Sequence, residues 1–455
     1  MILLKISVII HVARAQLGKI GFMEKLTLLS KDDVITSKEL ADGLPKYFIK
    51  EVSLPWQKSE NLYLHVRLVL SSENNVKFFI KESNSAEVID EKHFSEFDIS
   101  LPIELSPIEI PKPWGKEVWY TGIEERGVSL AKVGSSLVRI SSILSTFGSL
   151  VMDEKSPQPI LLKVLAPNSH PERGNLYYEL HVEKQEVYIV SGINNPDGKT
   201  QGRMKYGINA KKLKEYESEE SFKTAFKSSI KSYEKIRTEV ESTFDKFREN
   251  DCINLTDSLT TKKLDEYYSK LPGELRQAEL NAKKKVEEFV GWKTLKIGDV
   301  VAVETHVPHS LQHGVEVIEF QTPVYERRII SFDQKVLTQK NWDVDAAFEV
   351  MKLSAPLDAP LKVLDENKSY KVEEVVKFSG FAVNKIHFES SYKLESSNSH
   401  SLIFVLENDV LLASGSKKME LFQGKAYFVP SCSAELIISP NNKPSCSVLV
   451  ASPQN

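Results

Sequence analysis

The chain has 455 residues, 41% of them hydrophobic and 27% charged, with a formal net charge of −4. That length implies two or three domains, and the mixed charge offers no basic surface for nucleic acid. No run approaches the roughly 20 consecutive apolar residues of a membrane-spanning helix, and three widely spaced cysteines (Cys252, Cys432, Cys446) without a CxxC pair favour free thiols in a reducing, cytoplasmic compartment.

Residues 1–22 have an uncertain status. MILLKISVIIHVARA carries one lysine and a short apolar run, as a secretory signal does, but His11 and Arg14 interrupt it. Met23 opens a more ordinary start, so an over-extended beginning or a first β-strand is expected. Residues 23–106 form an N-terminal β-rich domain. Leu62–Leu70 and Val76–Lys81 are partly alternating apolar runs divided by the turn sequence SSENN, and Ser37–Leu44 reads as a short helix. Leu101–Pro113, LPIELSPIEIPKP, contains four prolines and reads as an extended connector. KPWGKEVWY (112–120) then suggests a turn into a buried strand, with Trp114 and Trp119 most simply core aromatics. Ser136–Leu150 and Gln158–Leu165 continue the strand-rich pattern.

Tyr177–Gly192, YYELHVEKQEVYIVSG, is the stretch that carries chemistry. Glu179 and His181 are two apart and share a strand face, and Glu186 can return to that face after a turn. A further donor is expected from Gly298–His309, GDVVAVETHVPH, whose strand ends at Pro308 and His309. Carboxylates and imidazoles converging inside a β-barrel suit a borderline divalent metal such as Zn²⁺. Each residue alone also fits a blander account: a solvated strand face for the glutamates, a hydrogen-bonded half-buried ring for His181.

Between the two stretches the pattern changes. From Phe222 through Phe226, Ile230, Tyr233, Ile236, Val240, Phe244 and Phe247 the apolar residues recur every three or four positions, which is one face of a long helix. Leu259–Leu271 and Leu275–Val290 read as two more helices split by Pro272-Gly273. A helical insertion at about 211–290 follows, and a long helix packed across the barrel is favoured over a coiled coil. Val315–Phe320 is an apolar strand, Asp345–Met351 a short helix, and 378–452 a series of strands with turns in which His387 and His400 match no ligand pattern. The fold expected is mainly β. The stretches at 177–192 and 298–309 resemble the two signature motifs of the cupin barrel, and that resemblance implies jelly-roll cupin barrels: a metal-binding cupin domain at 107–340 and a degenerate cupin-like β domain at 341–455.

In this order the pieces resemble the class I mannose-6-phosphate isomerases of the cupin superfamily. The resemblance rests on KPWG at 112–115, LYYELHVEKQEVYIV at 176–190, PHSLQHGVEVIEF at 308–320 and GKAYFVPS at 424–431. It implies one Zn²⁺ per chain held by Glu179, His181, Glu186 and His309, with Glu179 replacing the family's usual Gln. It further implies Arg328 as the catalytic arginine (Arg327 if the register slips by one), and Glu319 and Lys184 as the other catalytic residues. Lys112, Trp114 and Arg327 would bind substrate. The implied function is interconversion of mannose 6-phosphate and fructose 6-phosphate through a cis-enediol, with a hexose phosphate as the small-molecule partner. A non-catalytic cupin that binds a sugar or sugar phosphate, or another cupin metalloenzyme, is the alternative. The oligomeric state is not readable from the sequence, and a monomer is compatible with it.

Overall fold

The computed structural model describes residues 28–29, 34–35, 46–51 and 62–454, without 71–75, 88–90, 125–126, 153–157, 354–359, 395–398 and 434. The helix expected at Ser37–Leu44 and the whole of 1–22 lie outside the described residues. Strands dominate, and the pairings within the sheets are antiparallel at Glu186–Ile193, Gly202–Ile208, Phe381–Phe388 and Ser401–Glu407. The chain divides into two compact units, each gathered from separated pieces. One takes the described residues up to Ile108, then Trp119–Leu162 and the chain from Leu361 onward; the other takes Glu109–Val118 and Lys163–Pro360.

In the first unit, a nine-stranded sheet runs from Ser136–Arg139 through Leu130–Val133, Ile103–Ser106 and Ala426–Val429 to the C-terminal strands. A four-stranded sheet made of Tyr392–Lys393, Ile437–Pro440, Val410–Ser414 and Lys417–Leu421 belongs to the same unit. Their inner faces meet in one apolar cluster that includes Phe388, Ile403, Val405, Leu412, Ile438 and Val448. The C-terminal run of strands therefore closes a barrel of its own. A separate four-strand meander (Lys46–Glu51, Tyr63–Leu70, Val76–Ser83, Ser95–Phe97) accounts for the alternating runs expected near the N-terminus.

Two expectations change here. Leu101–Pro113 is extended, as its prolines require, but it is no mere connector: Ile103–Ser106 is an interior strand of the nine-stranded sheet, and Ile108–Lys112 is the edge strand of a sheet in the second unit. Pro111 sits on that edge, where its missing N–H is tolerated. Ser136–Leu150 is only briefly a strand (Ser136–Arg139) and then helical over Ile140–Val151, with a kink at Gly148. Its apolar residues explain why: Ile140, Ile143 and Phe147 recur at helical spacing before the kink, and they and Val151 beyond it are buried.

The second unit packs two sheets face to face. One is ordered Val300–Val303, Glu186–Ile193, Val315–Gln321, Leu161–Pro167, Gly115–Trp119, Ile108–Lys112; the other is Val290–Leu295, Gly202–Ile208, His309–Leu311, Tyr178–Leu180, Arg328–Ser331. Tyr188, Val303 and Val317 from the first sheet meet Met204, Leu311 and Ile329 from the second in a shared core. The outer face of the second sheet is equally apolar, because Tyr178, Leu180, Ile208 and Ile330 pack under the helices. That is the period-two alternation of a strand buried on both sides.

The long helix is Glu219–Asn250, and it begins at a capping box in which Ser218 and Ser221 each bond the other's backbone N–H at 3.1 Å. Glu219 and Glu220 in its first turn and Arg248 in its last suit the helix dipole. Phe222, Phe226 and Ile230 bury against the sheet, where Phe226 stacks on Phe289 at 5.1 Å. Further along, Val240 and Phe244 pack on Leu264 and Tyr267 of the helix Thr261–Lys270. The single packed helix is thus what forms, and the third helix is Gly273–Glu287.

Candidate metal centre

Antiparallel register assembles the centre. Tyr178–Leu180 is short, so Glu179 faces the barrel interior while its neighbours Tyr178 and Leu180 face the helices. Glu179 pairs directly with His309 on the adjacent strand, which sets the two side chains side by side. His181 follows at the strand end. Its carbonyl accepts the N–H of His306 at 2.7 Å, and His306 holds a left-handed φ of 69° to make that bond. The turn back to Glu186 is tied down by Glu326 Oε2, which accepts Val182 N–H at 2.7 Å, and by Thr322 Oγ1, which accepts Gln185 N–H at 3.1 Å.

The result is a tight cluster. One donor atom from each of Glu179, His181 and His309 lies within 4.8 Å of the others. Glu186 Oε1 lies 3.0 Å from His309 Nε2 and 3.3 Å from His181 Nε2, and it accepts the Tyr188 hydroxyl at 2.7 Å. His309 Nδ1 is 3.0 Å from the Val307 carbonyl, a bond that requires a proton on Nδ1 and fixes the ring with Nε2 turned towards the cluster. Burial, with help from the Lys184 charge, lowers the His181 pKa against the opposing pull of Glu186, so its ring is neutral at neutral pH.

These residues fit a divalent cation. Neither nitrogen of His181 has a hydrogen-bond partner, nor does Glu179 Oε2, although all three atoms are buried. Buried polar atoms are ordinarily satisfied. Neutral imidazoles and carboxylates aimed at one point, with no donor among them to satisfy the lone pairs, are the usual set for zinc or a similar ion.

Behind the cluster lies a buried charge layer. Lys184 Nζ is 2.6 Å from Glu186 Oε2. Burial opposes the Lys184 charge, but Glu186, Glu319 and Glu179 outweigh it and raise its pKa, so it remains an ammonium. Burial likewise pushes Glu186 upward, and the Lys184 ammonium reverses that, holding it well below the carboxylate range. Glu319 sits opposite Tyr188 on the neighbouring strand. Burial pushes its carboxyl up to about 8; the Lys163 charge opposes this and the nearby Glu186 carboxylate adds to it.

The mouth is set by Tyr177, Arg327, Glu117 and Lys112. The Arg327 guanidinium lies 4.5 Å over the Tyr177 ring and donates to Thr338 Oγ1 at 3.0 Å. Burial works against its charge, while Glu179, Tyr177 and Glu117 sustain it. Lys112 pairs with Glu117 at 3.1 Å. Arg328 is brought elsewhere. It pairs with Leu180, and Ile329 pairs with Glu179, so Arg328 shares Leu180's outer face while Arg327, two before Ile329, shares the metal-side face. Trp114 is 1% exposed and packs in the barrel core with Tyr177 and Tyr188 rather than at the mouth. The glycine after it is forced, because a Cβ at Gly115 would stand 2.3 Å from the Ala166 carbonyl oxygen.

Sequence reasoning passed over Tyr188, Glu117, Lys163 and Gln321. Lys163 carried a signal, as the one charge in the apolar run QPILLKVL; its ammonium donates to Gln321 Oε1 at 2.9 Å. The others look like ordinary strand residues.

A two-sheet antiparallel barrel backed by inserted helices is a cupin-like β fold, and its Glu/His cluster on adjacent strands is a group that could hold a metal ion. No protein-family model and no curated protein matches the chain. Solved structures do. The mannose 6-phosphate isomerase from Bacillus subtilis superposes with a TM-score of 0.53 at 14% identity, covering 77% of this chain and 99% of that one. A mutant of phosphomannose isomerase from Salmonella typhimurium gives 0.51 at 11% identity, covering 78% and 100%. A mannose 6-phosphate isomerase bound with zinc and yttrium gives 0.50 at 12% identity, again covering 78% and 100%. The chain therefore has the fold of the mannose-6-phosphate isomerases, as its motifs led us to expect. At these identities the likeness is one of fold.

Proposed function

We propose that the chain is a zinc-dependent aldose–ketose isomerase that interconverts mannose 6-phosphate and fructose 6-phosphate through a cis-enediol. The observation that carries this reading is the buried donor set of Glu179, His181, Glu186 and His309, set beside a carboxyl that titrates near neutrality. Zinc held by these four residues would polarise the substrate's carbonyl group. The remaining work falls to side chains. A proton must leave one carbon and return to its neighbour, and Glu319, with a pKa of about 8, exchanges its proton in the right range. Lys184 stays charged and holds Glu186 in place through the 2.6 Å contact to its Oε2. Arg327 supplies the fixed cation for the enediolate oxygen, since it lies two residues before Ile329, which pairs with Glu179, and Glu179 helps sustain its charge. Lys112, beside the mouth and paired with Glu117, offers the phosphate a second cation.

A binding protein without turnover is the second reading. It is favoured by Glu179, whose carboxylate adds negative charge to the cluster and makes a bound metal a weaker Lewis acid. Metal analysis and mannose 6-phosphate turnover, run beside His309→Ala, separate the two. We expect about one zinc per chain and turnover that disappears on chelation and in the variant. Zinc without turnover of any hexose phosphate would leave the binding protein, and absence of metal would sink the metal centre and the isomerase reading with it.

A further inference from the structure

The C-terminal barrel of the first unit has an interior that changes chemistry from one level to the next. Val372, Ile386, Val405 and Val448 close it at the bottom as ordinary apolar core. One level up, Asn384 stands opposite Val450, and Val450 opposite Ile403. Above that, the register carries Ser401 beside Ser452, with Val429 paired to Ser401. Neighbouring strands thus turn from branched apolar residues to Asn and Ser at the same end of the barrel. Among the described residues, the side chains of Asn384, Ser401 and Ser452 make no hydrogen bond to the protein.

These residues line a cavity of about 200 Å³. That is below the common range for drug-sized ligands, about 300–1,000 Å³, and suits a single small ring. Tyr392 stands at its side, its ring 4.9 Å from Tyr370. Among the described residues that line the cavity there is no Lys, Arg or His to neutralise a phosphate. The one charged residue among them, Asp365, already accepts the Tyr370 hydroxyl at 2.7 Å. A wholly apolar ligand would leave the amide and both hydroxyls unpaired, a poor exchange for their water.

We propose that this cavity binds a neutral polyhydroxylated ligand of monosaccharide size, whose hydroxyls bond Asn384, Ser401 and Ser452 and whose apolar ring face lies against Val429 and Tyr392. The site is separate from the metal centre in chemistry as well as in chain, since it selects against the phosphate that Arg327 and Lys112 would favour.

Titration calorimetry of the full chain with methyl α-D-mannopyranoside and methyl β-D-glucopyranoside tests it. We expect saturable binding of at least one glycoside that is about tenfold weaker in Asn384→Leu and in Ser401→Ala. The same binding is expected to persist unchanged in His309→Ala, and turnover at the metal centre to be unchanged in Ser401→Ala. Ser401→Ala removes only a hydroxyl, so retained near-ultraviolet dichroism in that variant keeps the result readable if Asn384→Leu folds poorly. Failure of both glycosides to bind, binding lost in His309→Ala but kept in Ser401→Ala, or preference for a cationic probe such as choline would each overturn the proposal.

Discussion

Two adjacent arginines differ in everything but sequence position. Arg327 lies over Tyr177 within the field of Glu179, while Arg328 pairs with Leu180 on the helix side. If the first is the oxyanion-stabilising cation, Arg327→Ala should cost about 10²–10³ in kcat, and Arg328→Ala should leave kcat near the parent value. Steady-state kinetics on mannose 6-phosphate decides this, and equal losses in both variants would reject the assignment. Asp333 gives a second test at this scale. Burial alone would raise its pKa, but Lys283, Lys205 and hydrogen bonds from Lys283 and Asn175 hold it well below the carboxylate range. An unfolded aspartate titrates near 3.9, so the ionised Asp333 stabilises the fold fully above that pH and loses its contribution as the pH falls below it. Urea midpoints measured from pH 6 downward should therefore drop in the parent below about pH 4. Asp333→Asn should start lower at pH 6 and fall less. A variant whose midpoint tracked the parent at every pH would refute this.

At the level of elements, the helix Glu219–Asn250 and the strand Tyr178–Leu180 stabilise one another through Phe226, which is fully buried, stacks on Phe289 and meets Phe348 edge-on at 5.2 Å. Phe226→Ala should cost about 3–5 kcal/mol, read from urea unfolding. Because Leu180 shares that cluster, zinc affinity should fall with it, and undiminished stability would mean the helix is a detachable addition. The helix was legible in the sequence because eight apolar residues repeat at a period no strand can use. So was the grouping of Glu179, His181, Glu186 and His309, since the first three fall within eight residues and His309 ends its own strand-like run. The choice between Arg327 and Arg328 for the face of Glu179 was not. It depends on a register shift between Tyr178 and Glu179 that leaves Ile330 unpaired there, and a one-residue shift reverses which side chain points inward. Ile140–Val151 was hidden for a different reason: its serines and β-branched residues have weak helix propensity, and only burial of Ile143 and Phe147 on one face settles the matter.

For the whole molecule, the clustered Glu and His side chains join strands of both sheets in the second unit, Glu186 from one and Glu179 and His309 from the other. A bound ion would tie those sheets together and stabilise only the folded chain. At a hundredfold excess over Kd this amounts to about 2.7 kcal/mol, or a Tm shift of roughly 5–10 °C for a unit of this size. Differential scanning calorimetry with zinc and then with a chelator should show it, and a Tm indifferent to both would argue against a structural hold by the metal. Composition could suggest several domains, but not that the first unit draws on three separated pieces of chain, because that depends on pairings between residues far apart.

Ile103–Ser106 is the plainest of those pairings. It lies between Leu130–Val133 and Ala426–Val429, its partners on the two sides. During synthesis the first neighbour arrives almost at once, while the second leaves the ribosome more than 300 residues later, roughly 15–65 s at ordinary elongation rates. For that interval a nascent chain carries a half-paired, apolar strand edge, the kind of surface that recruits other chains. Yield in a cell should therefore depend on translation speed and on chaperone supply more than on the stability of the finished protein.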